Sequence, residues 1–121
     1  MRKLNHLNLT VTDVAGASAF LKKYFGLQNQ WGEFGGMDDE KFTVLFDESG
    51  FVLTLMSAGK NKEVSYPGTF HIGFIQESEE RVDQIHQQLR EDGFAVKPPQ
   101  RTHAYTFYVR APGGFMVEVL T

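Results

Sequence analysis

The sequence contains no cysteine among its 121 residues. Disulfides, thiolate nucleophiles and thiolate metal ligands are therefore all excluded. A bound metal ion would have to be held by histidine, aspartate or glutamate side chains. This restriction makes the few histidines of the chain, four in number, the first residues to consider for a functional site.

Long hydrophobic runs and an excess of basic charge are also absent. The N-terminal stretch MRKLNHLNLTV has two basic residues but only a short apolar segment, so it predicts neither a signal peptide nor a membrane span. The net charge is −3 and the lysines and arginines are scattered singly, which argues against nucleic acid as a partner. We therefore expect a cytoplasmic protein that binds neither membranes nor nucleic acid.

The residues that are present predict a strand-rich single domain. Hydrophobic residues make up 41% of the chain and aromatic residues 13%, enough for a substantial core. Two helices are expected, one from Asp13 as N-cap to Gly26 and one from Ser78 as N-cap to Gly93. Strand-like runs, most of them bounded by Gly, Pro or Asp, lie at residues 3–11, 42–46, 51–56, 69–75, 105–109 and 115–120.

The chain repeats itself internally. HLNLTV from residue 6 matches HIGFIQ from residue 71 at a shift of 65, and GFVLTL matches GFMVEV at a shift of 64. The repeat predicts an α+β fold of two βαβββ modules, at about residues 1–60 and 67–121. The stretches NQWGEFGGMDDEK and SAGKNKEVSYPG are interpreted as loops, and the second is the natural connector between the modules.

The polar residues of the strands share one face. Side chains alternate between the two faces of a strand, and each strand has one apolar face suited to packing against the helices. From the opposite face project His6, Thr54, His71 and Glu118. If the modules are related by an approximate two-fold, the histidines are equivalent, and so are Thr54 and Glu118. Two imidazoles and one carboxylate are typical ligands of divalent iron, manganese, nickel or zinc.

Other interpretations of these residues remain open at this stage. A single histidine at the start of a strand is more often structural than a ligand. Glu118 alone is also compatible with an ion pair to Arg110 or with exposure at the chain end. His86 is expected to pack beside the apolar stripe of the second helix, and His103 lies in a polar loop, as a rim residue or without a role. The symmetric placement of both histidines and the carboxylate favours a metal site.

Three segments resemble a known family. NHLNLTVTDVAGASAFLKKYFGL, FHIGFI and FYVRAPGGFMVEVL are similar to the first strand and helix, the fifth strand and the last hairpin of the vicinal oxygen chelate superfamily. That superfamily contains glyoxalases, fosfomycin-resistance enzymes, extradiol dioxygenases and bleomycin-resistance proteins. The resemblance implies paired βαβββ modules forming an incomplete barrel, often in a homodimer. It also implies metal ligands at His6, His71 and Glu118.

Differences from the family pattern help to distinguish between the branches of the superfamily. Glyoxalase I has a fourth ligand, a glutamate, where this chain has Thr54, which argues against methylglyoxal isomerisation. Extradiol dioxygenases usually carry further paired modules. Fosfomycin-resistance enzymes are similar in length, and their pocket tyrosine and hydroxyls fall on Tyr108, Thr106 and Thr102. Their threonine after the first histidine is replaced by Asn8, and their arginine beyond the last ligand has no counterpart.

The resemblance implies a metal-dependent lyase, transferase or dioxygenase that acts on a small oxygen-bearing metabolite or drug. The divalent ion would serve as a Lewis acid and template. Tyr108 is the candidate catalytic residue, and Asn8, Thr54, Thr106 and Trp31 are candidates for substrate binding. The alternative is a metal-free protein that sequesters a small molecule, like the bleomycin-resistance members. Those proteins generally lack the ligand triad, so the sequence favours the enzyme.

Overall fold

The computed structural model describes residues 2–121. Its elements, in chain order, are β1 (His6–Val11), α1 (Val14–Phe25), β2 (Gln30–Trp31), β3 (Phe34–Gly35), β4 (Phe42–Phe46), β5 (Val52–Ser57), β6 (His71–Ile75), α2 (Glu79–Glu91), β7 (Gln100–Arg101), β8 (Tyr105–Ala111) and β9 (Phe115–Leu120). The chain divides into a first unit, residues up to 65 with 112–114, and a second unit, residues 66–111 with 115–121. Within the described residues, no helix is long and apolar enough to span a membrane.

The first unit is a three-stranded sheet packed against α1. The strand order is β1-β5-β4, with β1 parallel and β4 antiparallel to β5. The helix begins where the Asp13 carboxylate accepts the Gly16 backbone N–H at 2.8 Å. It ends at Gly26, whose positive φ of 70° lets its N–H reach back to the Lys22 carbonyl. Both predicted helix ends are confirmed.

A short hairpin in the first unit differs from the sequence prediction. Residues 29–41 were expected to form a loop, but β2 and β3 pair antiparallel, with Trp31 opposite Phe34. Gly32 occupies the turn with φ of 60°, a conformation that glycine adopts at low cost. The Trp31 and Phe34 rings stack across the two strands with centroids 6.3 Å apart, a cross-strand contact of the kind that stabilises paired strands.

The second unit is a four-stranded sheet covered by α2. Its strand order is β6-β9-β8-β7, with β6 parallel to β9 and the other pairs antiparallel. The Ser78 hydroxyl accepts the Arg81 backbone N–H at the start of α2. The predicted apolar stripe of α2 is fully buried and consists of Val82, Ile85 and Leu89. These side chains hold the helix against β8 and β9.

The two units repeat the same pairing. In each unit the first strand runs parallel to the last, with Asn8 opposite Thr54 in one and Gly73 opposite Glu118 in the other. The registers are equivalent, because Thr54 and Glu118 are separated by the shift of 64 that relates the two sequence segments. The predicted α+β class and internal repeat are confirmed. In the first module, the hairpin of β2 and β3 lies between α1 and β4.

Candidate functional site

The second unit buries a carboxylate on its polar sheet face. Glu118 lies in the middle of β9, with only 5% of its surface exposed. Its Oε2 is 2.6 Å from the Thr106 hydroxyl and 2.6 Å from His103 Nε2. Its Oε1 is 3.3 Å from His71 Nε2. These contacts identify partners for the carboxylate from β6, β8 and the turn before β8.

Glu118 is ionised at neutral pH. Burial raises the pKa of a carboxyl group, but hydrogen bonds from Thr106, His103 and Tyr108 and the electrostatic attraction of His103 lower it further than burial raises it. The net result is a pKa below the usual range for glutamate. Since an ionised carboxylate only accepts hydrogen bonds, Thr106 and His103 both donate to Oε2.

His71 directs its Nε2 at the other carboxylate oxygen. Its Nδ1 lies 2.9 Å from the Thr69 carbonyl oxygen, which can only accept, so Nδ1 carries the proton. In the neutral ring Nε2 is then unprotonated, and it faces Oε1 of Glu118 at 3.3 Å. A divalent cation between the two atoms would be attracted to Oε1 and to the Nε2 lone pair of the neutral ring.

His71 and Glu118 bring together two kinds of atom that divalent metal ions bind. Imidazole nitrogen and carboxylate oxygen suit iron, manganese, nickel and zinc. Bond lengths of about 2.0 to 2.2 Å allow two ligand atoms of one ion to lie up to about 4.4 Å apart, and the observed separation is 3.3 Å. The Thr69 carbonyl orients the His71 ring through Nδ1, and histidines that bind metal ions usually have such a contact at their other nitrogen.

Tyr108 stands next to this pair. It lies directly opposite Glu118 in the β8–β9 register, and its ring meets that of His71 edge-on with centroids 5.4 Å apart. Partial burial raises the pKa of the Tyr108 phenol, and the charge of Glu118 and a hydrogen bond to it raise it further. The phenol is therefore a proton-bearing donor at neutral pH. With 40% of its surface exposed, it is accessible to a small molecule.

A cavity of about 460 Å³ in the second unit adjoins these residues. Its lining includes the hydroxyl-bearing residues Thr102, Thr106 and Tyr108 and the apolar residues Ala95, Pro98 and Met116. Such a combination of apolar wall and a few polar groups is typical of small-molecule sites. The predicted candidates Thr106 and Tyr108 thus line one cavity.

The remaining candidates lie in the first unit. The exposed His6 ring has its Nδ1 at 3.1 Å from the side-chain oxygen of Asn5. Thr54 donates its hydroxyl hydrogen to the side-chain oxygen of Asn8 at 2.5 Å, so two of the substrate-binding candidates contact each other. Trp31 is 43% exposed in the hairpin. Among the described residues, no three histidine, aspartate or glutamate side chains are grouped to hold a metal ion.

His103 is the site residue that the sequence did not identify. The partners of the buried carboxylate are His103, 2.6 Å from Oε2, and His71, 3.3 Å from Oε1. The alternative of an ion pair with Arg110 is not observed among the described residues. Strand parity gave no signal for His103, because the residue lies in a turn, where side chains do not alternate between faces. His86 packs edge-on against Phe107, as expected for a packing residue.

Comparisons with known proteins agree with this architecture. A sequence profile of the Glyoxalase/Bleomycin resistance protein/Dioxygenase superfamily matches residues 3–119. A structure described as a possible glyoxalase from Bacillus cereus is 55% identical, covers 100% of both chains and superposes with a TM-score of 0.89. A search of curated proteins found no match.

Two more distant structures share the fold. Lactoylglutathione lyase from Agrobacterium tumefaciens is 21% identical over 99% of this chain and 93% of its own, with a TM-score of 0.73. A mutant of the fosfomycin resistance protein FosX from Listeria monocytogenes, complexed with Mn(II) and 1S,2S-dihydroxypropylphosphonic acid, is 22% identical over 99% of this chain and 92% of its own, with a TM-score of 0.73. Because the profile matches nearly the whole chain, the protein belongs to the Glyoxalase/Bleomycin resistance protein/Dioxygenase superfamily.

Proposed function

We propose that this protein is a metal-dependent enzyme of the superfamily that acts on a small oxygen-bearing metabolite or drug. Its divalent ion, iron, manganese, nickel or zinc, would be held by His6, His71 and Glu118. The observation that carries the proposal is the ionised, buried Glu118 with Oε1 at 3.3 Å from Nε2 of His71. In the same fold, FosX was crystallised with Mn(II).

His6 is proposed as the third ligand because it repeats the features of His71. It occupies the equivalent position at the start of the parallel first strand. Its Nδ1 contacts an oxygen of Asn5, as Nδ1 of His71 contacts an oxygen of Thr69. In both rings this contact orients Nε2 as the free ligand nitrogen.

The metal, when bound, would supply a Lewis acid that polarises a substrate oxygen. The protein side chains then orient the substrate. Tyr108 bears a proton on its phenol next to His71 and donates it to Glu118; on substrate binding it would donate that hydrogen to a substrate oxygen instead. Thr106 donates its own hydrogen to Glu118, so its hydroxyl offers the cavity an acceptor only. Ala95, Pro98 and Met116 provide apolar surface.

The residue at position 54 restricts the reaction class. A threonine hydroxyl is a poor replacement for a carboxylate ligand or a carboxylate base, and the Thr54 hydroxyl hydrogen is already donated to Asn8. This pairing supports a three-ligand site without the fourth glutamate of glyoxalase I. With Asn8 and Trp31, Thr54 is proposed to contribute to substrate recognition. We also propose that the protein is cytoplasmic and forms a homodimer. Gel filtration coupled to light scattering tests the oligomeric state.

The test is a calorimetric titration of metal-free protein with Mn(II), Ni(II), Zn(II) and Fe(II). We expect the wild type to bind at least one ion tightly, and His6→Ala, His71→Ala and Glu118→Gln each to weaken binding strongly. His86→Gln is the matched control, because His86 contacts the Phe107 ring and no proposed ligand. A wild type indifferent to all four ions would contradict the proposal and favour the metal-free binding protein.

The substrate class is then narrowed by thermal-shift screening in the presence of the bound ion. Carbonyl compounds, catechols and epoxide antibiotics represent the chemistries of the superfamily branches. Compounds that bind the native state raise the unfolding temperature. We expect stabilisation of the wild type that the Tyr108→Phe variant reduces. Stabilisation that is identical in both proteins would remove Tyr108 from the substrate site.

A further inference from the structure

We infer that His103 is a positioning residue, which holds the carboxylate of Glu118 in the orientation needed to bind the metal ion. The inference rests on the proposed function, in which Glu118 is a ligand. Two donors, Thr106 and His103, share Oε2 at 2.6 Å each. Oε1 remains directed at His71. His103 and Thr106 therefore fix which oxygen of Glu118 is left for the ion.

The hydrogen bond from His103 is strong enough to set this orientation. A charge-assisted bond to an ionised carboxylate is roughly twice as strong as a neutral one, and its short length of 2.6 Å agrees with that class. The other nitrogen of the ring, Nδ1, is 3.1 Å from the Thr102 hydroxyl, so both ring nitrogens have a neighbour. Thr102 lines the cavity, and His103 thus connects the cavity wall to the carboxylate.

The turn that carries His103 is attached to α2 on both sides. Before the turn, Arg101 forms two contacts with the Glu79 carboxylate, one of them 2.6 Å from Nη2 to Oε1. After the turn, the Tyr105 hydroxyl donates to Asp83 at 2.6 Å. The Arg101 guanidinium also lies over the Tyr105 ring, 4.8 Å from its centroid.

The turn is closed internally as well. The Thr102 backbone N–H donates to the Ala104 carbonyl at 3.0 Å. The His103 side chain is 56% exposed, and in an unsupported loop an exposed histidine would sample several rotamers. The attachments of Arg101 and Tyr105 restrict the backbone of the turn, so less backbone freedom remains to be lost when His103 contacts Glu118. This explains why an exposed turn residue can orient a buried ligand.

The experiment compares Mn(II) binding to the full-length wild type, His103→Ala and His103→Gln, by calorimetry and by electron paramagnetic resonance of the bound ion. We expect His103→Ala to lose affinity by about 10- to 100-fold, the usual effect of removing a side chain that hydrogen-bonds to a metal ligand. His103→Gln keeps an N–H donor at similar reach and is expected to retain most of the affinity and the wild-type spectrum. Circular dichroism establishes that each variant is folded.

The outcomes separate the inference from the proposed function. If the wild type binds no Mn(II), Ni(II), Zn(II) or Fe(II), the proposed function fails, and this inference fails with it. If the wild type binds and folded His103→Ala binds equally well with an unchanged spectrum, only the positioning role is overturned. Equal losses in His103→Ala and His103→Gln would also overturn it, because they would make His103 a direct ligand.

A second pair of variants tests the attachment of the turn. Glu79→Gln weakens the ion pair with Arg101, while Glu80→Gln changes the neighbouring exposed carboxylate and leaves that pair intact. We expect Glu79→Gln to lower Mn(II) affinity, by less than His103→Ala does, and Glu80→Gln to leave it unchanged. If both variants bind Mn(II) with the affinity of the wild type, the contact of Arg101 with Glu79 does not help to position His103.

Discussion

Replacement of Thr106 by valine tests the hydrogen bonding of the buried carboxylate. Valine has nearly the same shape and is also β-branched, so strand preference and packing change little. What is lost is a 2.6 Å hydrogen bond from a residue only 5% exposed to an ionised carboxylate. Hydrogen bonds to charged groups contribute about 1.5–3 kcal/mol, and we expect Thr106→Val to lower the free energy of unfolding by that amount.

Urea denaturation followed by circular dichroism measures this loss. With an m value of about 2 kcal/mol per molar urea, the midpoint should fall by roughly 1 M. Thr106→Ser is the matched control, because it keeps the hydroxyl and loses one buried methyl group, at a cost of about 0.8 kcal/mol. The substitution is repeated in Glu118→Gln, where the acceptor is neutral and the loss should shrink to about 0.5–1.5 kcal/mol.

Comparing the effect of Thr106→Val in the wild type and in Glu118→Gln shows whether the two side chains are coupled. If Thr106→Val costs as much in Glu118→Gln as in the wild type, the two side chains are not coupled, and the hydrogen bond does not contribute as argued. A Thr106→Val protein as stable as the wild type would refute the reasoning outright. Either result would also weaken the case that Oε2 of Glu118 is held by two donors.

Two further predictions concern local structure. The hydrogen bond and ion pair with Arg101 lower the pKa of Glu79 in the folded protein. The pair therefore stabilises the folded state fully at a pH above the pKa of glutamate in the unfolded chain. This stabilisation is lost as the pH falls through the lower pKa of Glu79 in the folded state. The difference in melting temperature between the wild type and Glu79→Gln should therefore be largest at neutral pH and vanish well below pH about 4; a difference that is constant with pH would contradict the ion pair. Gly26→Ala should cost roughly 1–2 kcal/mol in urea denaturation, because its φ of 70° is left-handed although the space around it is free. Gly68→Ala, with equally free space and no positive φ, should change stability by no more than about 0.5 kcal/mol, and equal effects of the two would refute the conformational explanation.

The sequence predicted the features that local rules determine. Asp13, Gly26 and Ser78 were assigned to helix ends because capping depends on a few neighbouring residues. The contact between His71 and Glu118 was inferred from strand alternation together with the internal repeat, and the parallel pairing of β6 and β9 brings the two residues to one face. These are properties of periodicity and register.

The features that were missed depend on tertiary contacts. The pairing of Trp31 with Phe34 was not predicted, because glycines and charged residues around the two short strands are typical of loops. His103 lies in a turn without periodicity. Its contact with Glu118 depends on the contacts of Arg101 and Tyr105 with α2, between residues 22 positions apart in the chain. No local pattern encodes such a distance.

The central claim is that His71 and Glu118 bind a divalent metal ion, and a crystal structure of the protein grown with Mn(II) tests it most directly. Anomalous scattering locates manganese independently of any assumption about its ligands. We predict an anomalous peak within bonding distance, about 2.0 to 2.2 Å, of both His71 Nε2 and Glu118 Oε1. No peak at these two atoms, in crystals grown with saturating Mn(II), would contradict the account.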